Sequence, residues 1–177
     1  MTSSPKIPHK APHDAAPHRH SLSLGVITVS DTRTPETDES GKLIGDLCRA
    51  AGHAIASMCI VPDEPEQVRG ALAAALGRAD VEAVLVNGGT GVSARDRTFE
   101  AITGSLDRRI DGFGELFRSL SYQEIGARAM LSRAVAGVRS GKPVFSMPGS
   151  PAAVRLAMEK LILPALGHVV AEAKRTT

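Results

Sequence analysis

The segment whose residues point most directly to chemistry is Asn87-Gly88-Gly89-Thr90-Gly91-Val92-Ser93-Ala94-Arg95-Asp96. Three glycines fall within four residues, Gly88, Gly89 and Gly91, so the backbone there can take φ > 0 and approach a ligand closely. Successive N–H groups in such a turn form a nest that suits phosphate oxygens. Thr90 and Ser93 add hydroxyl donors. The loop is neither G-x-x-x-x-G-K-[ST] nor G-x-G-x-x-G, so it is not one of the common nucleotide fingerprints. A plain turn, with glycines that only satisfy geometry, is the competing reading. Glycines this dense, directly after an apolar run, favour the phosphate.

Asp63 and Asp96 are the carboxylates to set beside that loop. Together they can hold Mg²⁺, which prefers one or two carboxylates plus phosphate oxygens and water. Each also has a structural reading. Asp63-Glu64-Pro65-Glu66 is a good helix start, with Asp as cap and Glu three residues on. Asp96 can cap a helix from Arg97 or pair with Arg95. In Asp111-Gly112-Phe113-Gly114-Glu115-Leu116-Phe117-Arg118, Glu115 and Arg118 lie three apart on a helical pattern and can pair on its surface. The glycines flanking Phe113 suggest instead a sharp entry that brings the helix start near a ligand. Ser150, ahead of Pro151, is a helix cap in one reading and an anion donor in the other.

These residues need a scaffold, and the hydrophobic pattern predicts one. Leu24 to Ser30, Ala54 to Val61, Ala83 to Val86 and Val144 to Met147 read as strands, most of them apolar enough to be covered on both faces. Helical spacing runs through Leu43, Ile44, Leu47, Ala50 and Ala51, ending at Gly52, and through Val68, Ala71, Leu72, Ala75 and Leu76, ending at Gly77. Arg97–Thr103 and Gly114–Gly126 read as helices, and Ala136–Lys142 as a turn between short strands. A last helix opens at Pro151 and runs to about Lys174, bent or interrupted at Pro164. Strand and helix alternating at this spacing predict a three-layer α/β/α sandwich with a mostly parallel sheet. In open sheets of that kind, ligands bind beyond the carboxyl ends of the strands. Four loops leave that edge: Ser30-Asp31-Thr32-Arg33, Pro62-Asp63-Glu64, Asn87 to Asp96, and Pro148-Gly149-Ser150.

Composition narrows the partners. Lys6, Lys10 and Arg19 against Asp14 account for the whole formal charge of +2, so the rest of the chain is neutral and offers no polyelectrolyte face. No Trp and a single Tyr leave few platforms for stacking bases, which argues against nucleic acid. No apolar run approaches the length of a membrane span, and the N-terminus has no signal-peptide stretch, so the expected compartment is the cytoplasm. Cys48 and Cys59 have no metal-ligand spacing and read as small buried side chains in a reducing compartment. Residues 1–20, rich in Pro, His, Ala and Ser, read as a disordered tail ahead of one domain over 21–177. The irregular spacing of His9, His13, His18 and His20 favours that reading over a metal site.

Taken in order, Val29-Ser30-Asp31, Val61-Pro62-Asp63-Glu64, Gly88-Gly89-Thr90-Gly91 through Arg95-Asp96, Gly112-Phe113-Gly114-Glu115, Leu131-Ser132-Arg133 and Pro148-Gly149-Ser150 resemble the MogA/MoaB family of molybdenum-cofactor biosynthesis proteins. The resemblance spans about Gly25 to His168, and Asp31–Thr34, Thr37–Gly41, Leu120–Tyr122 and Pro148–Pro151 look closer to MoaB. It implies a molybdopterin-binding fold, assembled as a homotrimer or homohexamer and working beside other proteins of that pathway. It also implies Mg²⁺-dependent joining of the adenylyl group of ATP to the terminal phosphate of molybdopterin, with release of pyrophosphate. By that analogy Asp63 and Asp96 are catalytic and hold the metal. Ser30, Asp31, Gly88, Gly89, Thr90, Gly91, Ser93, Glu115, Ser132, Pro148, Gly149 and Ser150 would contact nucleotide or pterin. Three other readings stay open: a carrier that binds molybdopterin without turnover, an unrelated nucleotide-binding fold, and an interaction module.

Overall fold

The computed structural model describes residues 21–93 and 96–175. The expected tail over residues 1–20, and any pairing of Asp96 with Arg95, lie outside them. Six strands form one sheet in the order β2-β1-β3-β6-β5-β4. They are β1 (Ser23–Val29), β2 (Ala54–Val61), β3 (Ala83–Asn87), β4 (Arg108–Arg109), β5 (Val135–Arg139) and β6 (Lys142–Met147). The first four in spatial order run parallel, in a register that aligns Val29 with Val61, Thr28 with Asn87 and Asn87 with Met147. Their carboxyl ends therefore finish level with one another. β5 runs antiparallel to both neighbours.

The apolar runs become strands because helices cover both faces. In β3, Ala83 and Leu85 pack with α1 (Glu39–Ala50), α4 (Asp111–Ile125), α5 (Pro151–Ala157) and α6 (Leu163–Lys174). Val84 and Val86 face α2 (Pro65–Gly77) and α3 (Thr98–Thr103). The period-two alternation sorts one strand's residues between two cores. The result is the three-layer sandwich that the pattern predicts.

Two boundaries differ from the sequence reading. Ala136–Lys142 is not mainly a turn: β5 continues to Arg139, and Ser140 and Gly141 alone make the reversal, with φ of 51° and 74°. Two left-handed residues match the right-handed twist of a two-residue hairpin. α4 starts at Asp111, so the glycines beside Phe113 lie inside the helix rather than at an entry before it. The last helix is interrupted as expected, by a π-helical turn over Met158–Ile162 just before Pro164. Pro164 brings no N–H to the ladder, and a widened turn accommodates its ring.

β2 is an edge strand, and this corrects one expectation. Cys48, on the inner side of α1, is buried, whereas Cys59 on β2 is exposed. No helix among the described residues is long and apolar enough to cross a membrane.

Candidate functional site

The chain leaves β1 toward β2 on one side and later returns to place β3 on the other. The switch point of the sheet therefore lies between the ends of β1 and β3. Ser30 follows β1 there and Gly88 follows β3. Gly88 and Gly89 have φ of 102° and 60°. A side chain on Gly88 would collide with the Val29 carbonyl, and one on Gly149 would come within 3.0 Å of Gly88 Cα. Glycine is thus required where two loops and a strand end converge. Gly91 is not at positive φ, contrary to expectation. Its glycine is steric, because a Cβ would stand 2.6 Å from Asp96 Oδ2.

A cleft of about 440 Å³ opens at this point. Of the residues expected from sequence, it brings together Ser30, Gly88, Gly89, Thr90, Gly91, Asp96, Ser132, Pro148, Gly149 and Ser150. Ser150 caps α5 by accepting from the Ala153 N–H at 3.3 Å. The Ser30 hydroxyl accepts from the N–H groups of Thr32 and Arg33, at 3.3 and 3.1 Å, which folds that loop back over the cleft. Four expected residues lie outside the lining. Asp31 lines a larger cavity of about 830 Å³ beside β2, which shares Ser30, Arg33 and Asp38 with the cleft. That neighbour is bounded by Met58, Ile60, Val61 and Pro62 and has no glycine nest, so the smaller cleft is the better anion site. Ser93 and Glu115 are exposed, and Glu115 makes no pair with Arg118 among the described residues.

Asp63 is the fourth. It is 8% exposed and sits beneath the glycine loop. Its Oδ1 accepts from Thr98 Oγ1 at 2.9 Å and from the Arg97 N–H at 3.3 Å, so it closes the start of α3. α2 begins at Pro65 after Glu64 with no side-chain cap, which overturns the capping box read from Asp63 and Glu66. Asp96 does not cap α3 either. Its Oδ2 accepts from the Ser93 N–H at 2.9 Å, holding the far end of the loop. A Cβ on Gly89 would run into Thr98 Oγ1 and stand 2.6 Å from Asp63 Oδ2. The loop therefore rests directly on both carboxylates. Burial pushes the Asp63 carboxyl above its ordinary range; the bonds from Thr98 and Arg97 oppose this, and the charges of Asp96 and Asp31 add to it.

Other residues of the site were not anticipated. Thr28 Oγ1 donates to Asp38 Oδ2 at 2.6 Å, Asn87 Nδ2 donates to Thr28 Oγ1 at 2.9 Å, and the Gly41 N–H donates to Asp38 Oδ1 at 2.8 Å. This buried network ties β1, β3 and the start of α1 together under the cleft. Ser40 Oγ donates to the Gly149 carbonyl at 2.7 Å and fixes the Pro148–Ser150 loop. Phe117, Ile125 and Leu131 add apolar surface to the lining of the same cleft. Arg133 donates to the carbonyls of Asp96 at 2.6 Å and Thr90 at 3.4 Å, pairs with Glu100, and lies 5.0 Å over the Phe99 ring. It clamps the glycine loop at both ends. Arg133 was visible beside Ser132 in the resemblance, but nothing local showed what it holds.

The chain and its fold match known proteins. Residues 25–168 match the domain family described as "Probable molybdopterin binding domain". A protein of Halalkalibacterium halodurans named molybdenum cofactor biosynthesis protein B is 56% identical over 148 residues, covering 83% of this chain and 87% of that protein. A crystal structure of a molybdenum cofactor biosynthesis protein B superposes with a TM-score of 0.87 at 52% identity, over 89% of this chain and 99% of that one. The tungsten cofactor synthesizing protein MoaB from Pyrococcus furiosus superposes with a TM-score of 0.79 at 36% identity, over 88% and 98%.

Proposed function

This chain belongs to the molybdopterin-binding domain family, and on that premise we propose that it works in molybdenum-cofactor biosynthesis by binding molybdopterin in the cleft between β1 and β3 and adenylylating it with ATP. The observation that carries the binding half is the pairing of two unlike walls in one cleft. Gly88–Gly91 offers backbone donors for a phosphate, and Phe117, Ile125 and Leu131 offer apolar surface for a flat heterocycle.

The transfer half draws on the carboxylates. A terminal phosphate monoester is already anionic at neutral pH, so its oxygen attacks the α-phosphorus of ATP without a strong base. The bond to the β-phosphate breaks and pyrophosphate leaves with that electron pair. The protein's task is alignment and relief of repulsion between two polyanions. The glycine loop aligns; Arg133 keeps it rigid through Thr90 and Asp96. Among the described residues no cluster of three or more His, Cys, Asp or Glu is placed to hold a metal. Two carboxylates completed by ligand oxygens and water suit Mg²⁺; burial is what chiefly raises Asp63, and a divalent cation would relieve the smaller repulsion that Asp96 and Asp31 add to it. Asp96, on the cleft wall, and Asp63 beneath it would hold that ion, which when bound stabilises charge on the leaving pyrophosphate.

A binding role without turnover is the second reading, favoured by Asp63 lying off the cleft lining. Pyrophosphate release on adding molybdopterin, ATP and Mg²⁺ separates the two: release supports transfer, and tight binding without release supports the carrier. The proposed assembly is a homotrimer or homohexamer in the cytoplasm. Leu116, Tyr122 and Met130, exposed along α4 and the turn after it and outside the cleft lining, suit such an interface. Sedimentation at micromolar protein tests it; a monomer there contradicts it.

A further inference from the structure

Behind the cleft, between the first turns of α4 and the start of β5, lies a separate cavity of about 250 Å³. Arg109, Arg118 and Arg133 line it, together with Asp111 and Ser132. Two of the guanidiniums are partly spoken for: Arg109 pairs with Asp111 at 2.8 Å, and Arg133 pairs with Glu100. Arg118 is half-buried and has no hydrogen bond or ion pair among the described residues. Its five N–H donors are therefore left to whatever enters. Gly114 makes room for it, since a Cβ there would stand 3.0 Å from Arg118 Nη1. Ser132 Oγ is shielded from bulk water and also lacks a partner. The unpaired buried Ser132 hydroxyl costs free energy that a polar ligand would recover, and the Arg118 guanidinium beside it, which water reaches, is free to pair with that ligand.

We propose that this cavity is a second anion site, distinct from the glycine cleft, that takes a small inorganic oxyanion of the phosphate class through Arg118, Ser132 and Arg133. The small volume suits an inorganic oxyanion better than a whole nucleotide, since pockets that enclose drug-sized molecules begin at about 300 Å³. Planar, forked donors suit a tetrahedral oxyanion better than a halide. The site is coupled to the cleft in two ways. Ser132 lines both cavities, and Arg133 also holds the carbonyls of Thr90 and Asp96. The inference stands on this cavity's own residues and does not depend on the adenylylation reading.

The test uses the full chain without Mg²⁺, molybdopterin or nucleotide. Orthophosphate, pyrophosphate and adenosine monophosphate are titrated separately at constant ionic strength and followed by calorimetry and backbone amide resonances. Orthophosphate or pyrophosphate should shift the amides of Gly114, Arg118 and Ala134 and bind about 10- to 100-fold more weakly to Arg118→Gln. Arg118→Lys, which keeps the charge, should lie between the two. Adenosine monophosphate acting at these amides as strongly as orthophosphate would overturn the size argument. Shifts confined to Gly88–Gly91 would place all phosphate binding in the cleft and overturn the proposal. So would no shift at all, the outcome expected if a neighbouring copy's carboxylate occupies the cavity. Those readouts come from the unmutated chain, so a variant that fails to fold does not rescue the idea.

Discussion

Replacing Gly89 by alanine tests whether the glycine loop is held by backbone geometry and by the carboxylates beneath it. Gly89 has φ of 60°, a conformation that costs an L-residue about 1–2 kcal/mol. The new methyl would also run into Thr98 Oγ1 and stand 2.6 Å from Asp63 Oδ2, which forces local movement. Overpacking of that kind typically costs about 1–3 kcal/mol. The sum, about 2–5 kcal/mol, corresponds to a fall in Tm of roughly 4–20 °C for a chain of this size. Gly70 is the internal control. It lies within α2, no atom approaches its added Cβ, and Gly70→Ala should stabilise by about 0.5–1 kcal/mol. Thermal and urea unfolding at matched protein concentration reads both, and titration with molybdopterin reads the consequence for binding. Gly89→Ala should lose both stability and affinity. A variant as stable as the parent, with unchanged affinity, would refute the claim that the loop rests on Asp63 and Thr98.

Asp63→Asn keeps an acceptor for Thr98 and Arg97 but removes a charge that burial and two neighbouring aspartates disfavour. In chelator, its stability should equal or exceed the parent's at neutral pH. Because the folded carboxyl is raised, any advantage is full above that raised value and shrinks as pH falls through it; an advantage growing toward acid would contradict this. Arg133→Ala removes charge-assisted bonds to two loop carbonyls and should cost about 2 kcal/mol, with faster amide exchange at Gly88–Gly91; unchanged exchange would show that the loop is held elsewhere. In the native protein an aromatic disulfide reagent should label Cys59 alone. Cys48 is buried and its thiol is pushed up to about 12, so labelling of both before unfolding would contradict the packing of α1.

Features set by neighbours in the chain were legible in the sequence. The two-faced apolar run of β3, the glycines after it, and the Ser150-Pro151 start of α5 all stand where their local patterns predict. The alternation of strands and helices predicts the sheet edge, and the sheet edge assembles the loops. Long-range pairing was not legible. Asp63 has the local pattern of a cap for α2, yet its partner Thr98 lies 35 residues on. Asn87 reaches Thr28 across 59 residues, and Thr28 reaches Asp38 across 10, with no motif to announce either bond. Phe117, Ile125 and Leu131 have the spacing of ordinary core residues, and only the packing of α4 beside the sheet edge makes them a wall of the cleft. Cys59 belongs to an apolar run, and its exposure follows from β2 being at the edge, which depends on strand order.

The reaction proposed for this cleft is the joining of an adenylyl group to molybdopterin. Its most direct test is to incubate the purified chain with molybdopterin, ATP and Mg²⁺ and to weigh the pterin product by mass spectrometry. The expected product is molybdopterin heavier by one adenylyl group, formed by the parent protein and lost in Asp96→Asn while molybdopterin still binds. Molybdopterin recovered unchanged from a protein that binds it tightly would contradict the claim and leave a carrier.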